Sequence, residues 1–144
     1  MAAIAVPVSL GSRIPLSHGN ASGIPAVALG TWKMAPEEAE RATSWAIQAG
    51  YVHIDTAAVY RNEAAVGAAI LGSGVPRESL FVTTKLAPMH QGYEPALKAF
   101  DASLKQLGLD YVDLYLMHWC GRPAPPRPDP SSTHPHLIAP SQRI

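Results

Sequence analysis

The sequence predicts an α/β fold, a partial (β/α)8 barrel of the TIM type comprising about its first four βα units. Strand-like apolar runs begin near residues 27, 52, 80 and 111, so their starts lie 25, 28 and 31 residues apart, and each gap holds one helical pattern. That alternation gives successive βα units and a parallel sheet. The runs are apolar on both faces, as in a sheet covered on both sides. No Gly-x-Gly-x-x-Gly follows the first run, which argues against the doubly wound dinucleotide fold. A complete barrel takes about 250 residues, so four units by residue 119 make half of one.

The elements follow in order. Residues 1–13 show little periodicity and read as a flexible N-terminus ahead of a barrel half over 14–121. Ile14 to Val27 reads as a β-hairpin around the turn-forming cluster His18 to Gly23. Ala26 to Gly30 is a short buried strand. Pro36-Glu37-Glu38 opens a helix, with proline in the first turn and acids facing the dipole. Ala39, Ala42, Ala46 and Ala49 form its apolar stripe, Trp45 lies beside it, and Gly50 stops it. Val52 to Asp55 is the second strand. Asn62-Glu63 starts a helix through about Leu71, and Leu80 to Leu86 is a β-branched third strand. Glu94-Pro95 opens a third helix with the stripe Leu97, Phe100, Leu104 and Leu107. Tyr111 to Trp119 is the fourth strand.

After Trp119 the pattern collapses. Residues 122–144 hold seven of the fourteen prolines and read as a disordered or extended tail.

Composition excludes several functions. Among 144 residues, 11 basic side chains balance 11 acidic ones, with pI near 7.0, so bulk charge favours neither nucleic acid nor an anionic membrane. One cysteine, Cys120, excludes an intrachain disulfide framework and fits a reducing compartment. Met1 to Leu10 is a poor secretory signal, and no stretch approaches the ~18 apolar residues of a span. A cytoplasmic protein is the expectation.

Active sites of βα barrels lie at the C-terminal ends of the strands. Those ends carry Gly30, Thr31, Trp32 and Lys33, then Asp55 and Tyr60, then Lys85, then His118 and Trp119. Read singly, each has a plainer account: a loop cap, a solvated lysine, a core histidine, a packed tyrosine. Four consecutive strands delivering such groups to one rim is harder to explain that way. Alternation puts His53 with Asp55, Thr83 with Lys85, and Leu116 with His118 on shared faces. Chemically, a phenol gives up its proton more readily beside an ammonium, which Lys85 supplies if Asp55 holds it. His118 would orient a carbonyl or share in proton transfer, and Trp32 and Trp119 would wall the pocket. A site that protonates a carbonyl oxygen needs a hydride, which no side chain provides, so a nicotinamide cofactor is implied.

Gly50 to Gly67, Leu80 to Leu86, Asp110 to Trp119 and Gly30-Thr31-Trp32 resemble the N-terminal half of the aldo-keto reductase family. The likeness runs from about Ile14 to Trp119. It departs at Val52, where arginine is usual, and at Cys120, where proline is usual. The resemblance implies NADPH-dependent reduction of small aldehydes and ketones, with Tyr60 as general acid, Asp55 and Lys85 tuning it, and His118 placing the carbonyl. It implies cofactor contacts at Gly30, Thr31, Trp32 and Asp55, and substrate contacts at Trp32, Val59, His118 and Trp119. The family's carboxamide-holding Ser-Asn pair, stacking tyrosine and basic 2′-phosphate loop have no counterpart here. A truncated chain, inactive alone and open to self-association through unpaired strand edges, is therefore expected. The second expectation is a non-catalytic regulatory or interaction fragment of that barrel.

Weaker signals are His134-x-His136 as a metal pair without a third ligand, so that no metal is expected, and Pro125-Pro126-Arg127-Pro128 as a polyproline ligand. Cys120 reads as an inert substitution.

Overall fold

The computed structural model describes residues 8–17 and 23–121. The predicted tail over 122–144, most of the flexible N-terminus and the hairpin's turn lie outside the described residues, as do the His134–His136 pair and the proline motif. Strands β1 (Arg13–Ile14) and β2 (Ile24–Pro25) pair antiparallel, giving the expected hairpin with shorter arms. Gly23 has φ +96°, and a Cβ there would stand 2.6 Å from the Ile14 carbonyl oxygen. Only glycine closes the hairpin this tightly.

Four strands form one parallel sheet in chain order: β3 (Leu29–Gly30), β4 (His53–Asp55), β5 (Phe81–Leu86) and β6 (Leu114–Met117). Between them run α1 (Pro36–Gln48), α2 (Glu63–Gly72) and α3 (Tyr93–Leu107). This is the predicted series of βα units. The core lies between sheet and helices, where Ile54 and Val82, paired in register, are fully buried against Val66, Ile70 and Leu107. Each such side chain contributes about 1.5–3 kcal/mol by leaving water.

Four sequence expectations shift. The fourth strand begins at Leu114 instead of Tyr111, because polar side chains take over the pairing before it. The Asp113 carboxylate accepts the Val82 N–H at 2.8 Å, and Arg77 donates to that carboxylate at 2.7 Å and to the Tyr111 carbonyl at 3.1 Å. The buried face of α1 is Ala39, Thr43, Ala46 and Ile47, a rotation of the alanine stripe. Ala49 already lies past the last turn, before Gly50 at φ +91°, and Trp45 is 65% exposed. On α3 the apolar stripe is covered only toward its C-terminal end: Leu107 is buried and Leu97 half exposed. Coverage of both sheet faces holds for β5 and fails at β6, where Leu116 and Met117 are exposed. Among the described residues β6 pairs only with β5. No helix there is long and apolar enough to cross a membrane.

Where α2 meets α3, Gly67 is the contact. A Cβ on it would fall 2.0 Å from the Leu107 carbonyl oxygen, inside that backbone. Below the core, His53 is buried with Nδ1 at 3.2 Å from the Pro25 carbonyl and Nε2 at 2.9 Å from Thr83 Oγ1. Burial holds its pKa below the ordinary 6.5, against smaller upward pulls from the Pro25 carbonyl, Asp55 and Asp113.

Two measurements test this packing. Gly67→Ala gains about 1 kcal/mol of intrinsic helix preference, yet the clash must push α2 off α3. A net loss of about 1–3 kcal/mol is expected in urea titrations. For His53, the folded state binds fewer protons than the unfolded chain below pH 6.5. Its stabilisation is therefore complete above 6.5 and drains away as pH falls toward the lower folded pKa. The urea midpoint of wild type should drop more between pH 7.5 and 5 than that of His53→Gln.

Candidate active site

The C-terminal ends of β3 to β6 present their side chains on one rim. Asp55 closes β4 in register with Thr83, and Lys85 stands two residues further along β5, on the same face. Lys85 Nζ donates to Asp55 Oδ1 and, at 2.9 Å, to the Thr56 carbonyl. The pair is largely withdrawn from water, its side chains 14% and 31% exposed.

Tyr60 ends a single 3-10 turn, Ala58–Tyr60, which the sequence did not signal. Arg61 follows at φ +59° and returns the chain into α2. The turn sets the Tyr60 ring with its centroid 5.3 Å from Lys85 Nζ. His118, one residue past β6, meets that ring edge-on at 5.4 Å, and Trp119 lies 4.4 Å from His118 in the same manner. Trp32, Val59, Tyr60, His118 and Trp119 together line a cleft of about 330 Å³. Loss of water lowers the His118 pKa below 6.5, the Lys85 ammonium lowers it further, and Asp55 opposes both. Its Nδ1 is buried without a hydrogen-bond partner among the described residues.

The nine candidate positions divide. Asp55, Tyr60, Lys85 and His118 converge, and Trp32, Val59 and Trp119 join them around the cleft. At Gly30 a Cβ would meet nothing within 4 Å, so the space beside this backbone is open. Thr31 is different: it is fully buried, and its hydroxyl turns inward to Thr56 Oγ1 at 3.0 Å.

Two residues escaped the sequence reading, which took Asn62-Glu63 only as a helix start. Asn62 is 1% exposed and makes no cap; its amide donates to the carbonyls of Thr31 (2.9 Å) and Met34 (3.1 Å) and accepts from Thr56 (3.2 Å). Glu63, 6% exposed, accepts from Thr84 at 2.6 Å and Ser103 at 3.3 Å. Burial and then the Glu63 charge raise the pKa of Tyr115 above 10. Nothing in the local sequence distinguishes either residue from an ordinary helix start. No cluster of three His, Cys, Asp or Glu suited to a metal occurs among the described residues.

A parallel βα sheet with an Asp–Lys pair, a phenol and an imidazole on its C-terminal rim defines a class, and comparison with known proteins gives the same one. The aldo/keto reductase family profile matches residues 23–137. An aldo-keto reductase of Mycolicibacterium smegmatis is 58% identical over 107 residues, covering 74% of this chain and 38% of that protein. The crystal structure of an aldo/keto reductase from Brucella melitensis superposes with TM-score 0.73 at 52% identity, over 79% of this chain and 42% of the other. A Bombyx mori aldo-keto reductase solved in complex with NADP gives TM-score 0.68 at 47% identity, over 74% and 37%. The chain belongs to the aldo/keto reductase family. It spans about two fifths of the length of the relatives it matches.

The electrostatics of the rim can be read at His118 by NMR. Its midpoint should lie below 6.5 in the wild type. It should rise in Lys85→Met, which removes a repelling cation, and fall further in Asp55→Asn, which removes an attracting carboxylate.

Proposed function

We propose that this chain supplies the proton-donating half of an NADPH-dependent carbonyl reductase site, acting on small aldehydes and ketones. The observation that carries the reading is the setting of Tyr60. Its ring lies beside the Lys85 ammonium and edge-on to His118, at a cleft walled by two tryptophans.

Tyr60 is the general acid in this reading. As a carbonyl takes a hydride at carbon, its oxygen gains negative charge and needs a proton, and Tyr60 delivers it. The phenolate left behind is stabilised by Lys85, by roughly 3 kcal/mol at ~5 Å and an effective dielectric of ~20. Asp55 keeps the ammonium in place, so no reorganisation is needed when the charge develops. His118, neutral at physiological pH because of its lowered pKa, offers a ring N–H to orient the carbonyl oxygen without adding charge. Trp32, Val59 and Trp119 give the substrate apolar walls and keep water away.

NADPH, when bound, supplies the hydride and leaves as NADP+. The residues present fit its nicotinamide end: the rim is open beside Gly30, where a cofactor can approach the backbone, and Trp32 lies next to that opening. Gly30, Trp32 and Asp55 would hold it there. Thr31 would contribute only through the loop it anchors, since its side chain faces inward. Both products balance: one carbonyl, one hydride and one proton give one alcohol, and solvent reprotonates Tyr60.

The test is a chimera in which residues 23–121 replace the matching segment of the Mycolicibacterium relative. It should oxidise NADPH in the presence of an aldehyde. Tyr60→Phe should lower kcat by about 100-fold or more while NADPH still quenches tryptophan fluorescence. Retention of the parental rate by Tyr60→Phe would sink the assignment.

A further inference from the structure

We propose that Asn62 is a positioning residue: its buried amide couples the loop presenting Trp32 to the loop presenting Tyr60, so that the cleft wall and the proton donor are held as one body. The proposal rests on the reductase reading above and adds a residue that touches no reacting group.

An amide side chain has two donor hydrogens and one acceptor oxygen with two lone pairs. In Asn62 both hydrogens and the oxygen are engaged. The hydrogens go to the carbonyls of Thr31 at 2.9 Å and Met34 at 3.1 Å, the residues that bracket Trp32 and Lys33. Oδ1 receives Thr56 Oγ1 at 3.2 Å and faces Thr31 Oγ1 at 3.4 Å. Thr56 itself follows Asp55, and its carbonyl receives Lys85 Nζ. One side chain thus joins the loops after β3 and β4 to the Asp55–Lys85 pair.

Backbone geometry points to the same residue. Among the described residues, two non-glycine residues adopt left-handed φ: Lys33 at +64° and Arg61 at +59°. Such turns persist only where their surroundings hold them. Lys33 stands next to Trp32, and Arg61 separates Tyr60 from Asn62. The carbonyls of the first turn end on the Asn62 amide, and the second turn feeds directly into Asn62. Loss of the amide would leave the Met34 carbonyl unpaired and the Thr31 carbonyl with only the 3.3 Å bond from the Met34 N–H, and would free both turns to relax.

A merely stabilising residue would weaken folding without moving the rim, which gives the test its control. Arg77 holds the opposite, N-terminal end of the sheet through Asp113. In the full 144-residue chain, NMR would follow the Trp32 indole N–H and the His118 titration. His118 senses the rim because Tyr60, Lys85 and Asp55 all face it. Asn62→Ala and Thr56→Val should both shift the Trp32 resonance and move the His118 midpoint up toward 6.5, as Tyr60 withdraws and water enters. Thr56→Ser, which keeps the hydroxyl, should restore both signals. Arg77→Met should lower the urea midpoint and leave both signals in place. In the chimera, Asn62→Ala should cut kcat by about 100-fold, the effect of roughly 1 Å of misplacement, with the KM for NADPH near its parental value.

Unchanged Trp32 and His118 signals in Asn62→Ala and Thr56→Val would overturn the proposal, as would equal shifts in Arg77→Met. Should Asn62→Ala fail to fold, the Thr56→Val and Thr56→Ser pair decides alone. The NMR signals require no turnover, so a chimera without reductase activity would refute the reductase reading separately.

Discussion

The registration of β4 against β5 is the constraint on which the rest of the rim depends. Asp55 lies opposite Thr83, which places Lys85 two residues beyond, on the same face and at the diagonal reach of its long side chain. A slip of one residue would send Lys85 into the helix-facing layer and Asp55 away from it. The register is secured from the other face, where Ile54 and Val82 are paired and fully buried. Apolar packing on one side of the sheet therefore fixes an ion pair on the other. Such a pair adds little to stability, because desolvation of the charges offsets their attraction. Its value is positional: it ties the ends of two strands and presents a fixed cation to whatever lies beside it.

The polar groups of this half-barrel fall into three sets with different physical tasks. At the N-terminal end of the sheet, Arg77 donates to the Tyr111 carbonyl and the Asp113 carboxylate accepts the Val82 N–H, beside the backbone bond from the Asp113 N–H to the Val82 carbonyl. Behind the sheet, the buried Glu63 carboxyl accepts the hydroxyls of Thr84 and Ser103, with no salt-bridge partner among the described residues. At the rim, Thr31, Thr56 and Asn62 consume one another's hydrogen-bonding capacity. Satisfied in this way, buried polar groups rigidify, and unsatisfied they are costly. The His118 Nδ1 is the exception at the rim, buried and without a partner among the described residues, on a ring that meets Tyr60 edge-on.

Much of this was legible in the sequence, for identifiable reasons. Strand–helix alternation comes from apolar periodicity, which is local, and it placed the four strands of the parallel sheet and the three α-helices among the described residues. The rim residues were legible because a strand end is a position in the chain, and period-two alternation then gave the shared faces. Boundaries failed where side chains from distant segments replaced backbone pairing, as Asp113 and Arg77 do before Leu114. The face of α1 failed because four alanines gave too weak a stripe to outweigh Thr43 and Ile47. Asn62 could not be recognised as buried: its partners stand 28 and 31 residues earlier in the chain, and an asparagine before a helix looks the same whether it caps or is buried. The inward turn of Thr31 was not legible for the same reason, since sequence does not say which way a rim hydroxyl points.

The neutrality of His118 narrows what its imidazole can contribute to the proposed reaction. Were it protonated, two cations would stand beside the Tyr60 ring, and Lys85 would repel the second. Desolvation and that repulsion both favour the neutral ring, and Asp55 pulls the other way more weakly. A neutral imidazole carries one N–H, so it can donate to a carbonyl oxygen but has no second proton to lose at physiological pH. Lys85 is committed to Asp55 and Thr56. That leaves the phenol, which has no hydrogen-bond partner among the described residues, as the proposed proton donor. In the proposed reaction the division of labour would follow from how charge is distributed: the lysine would hold it, the histidine stay without it, and the tyrosine exchange it.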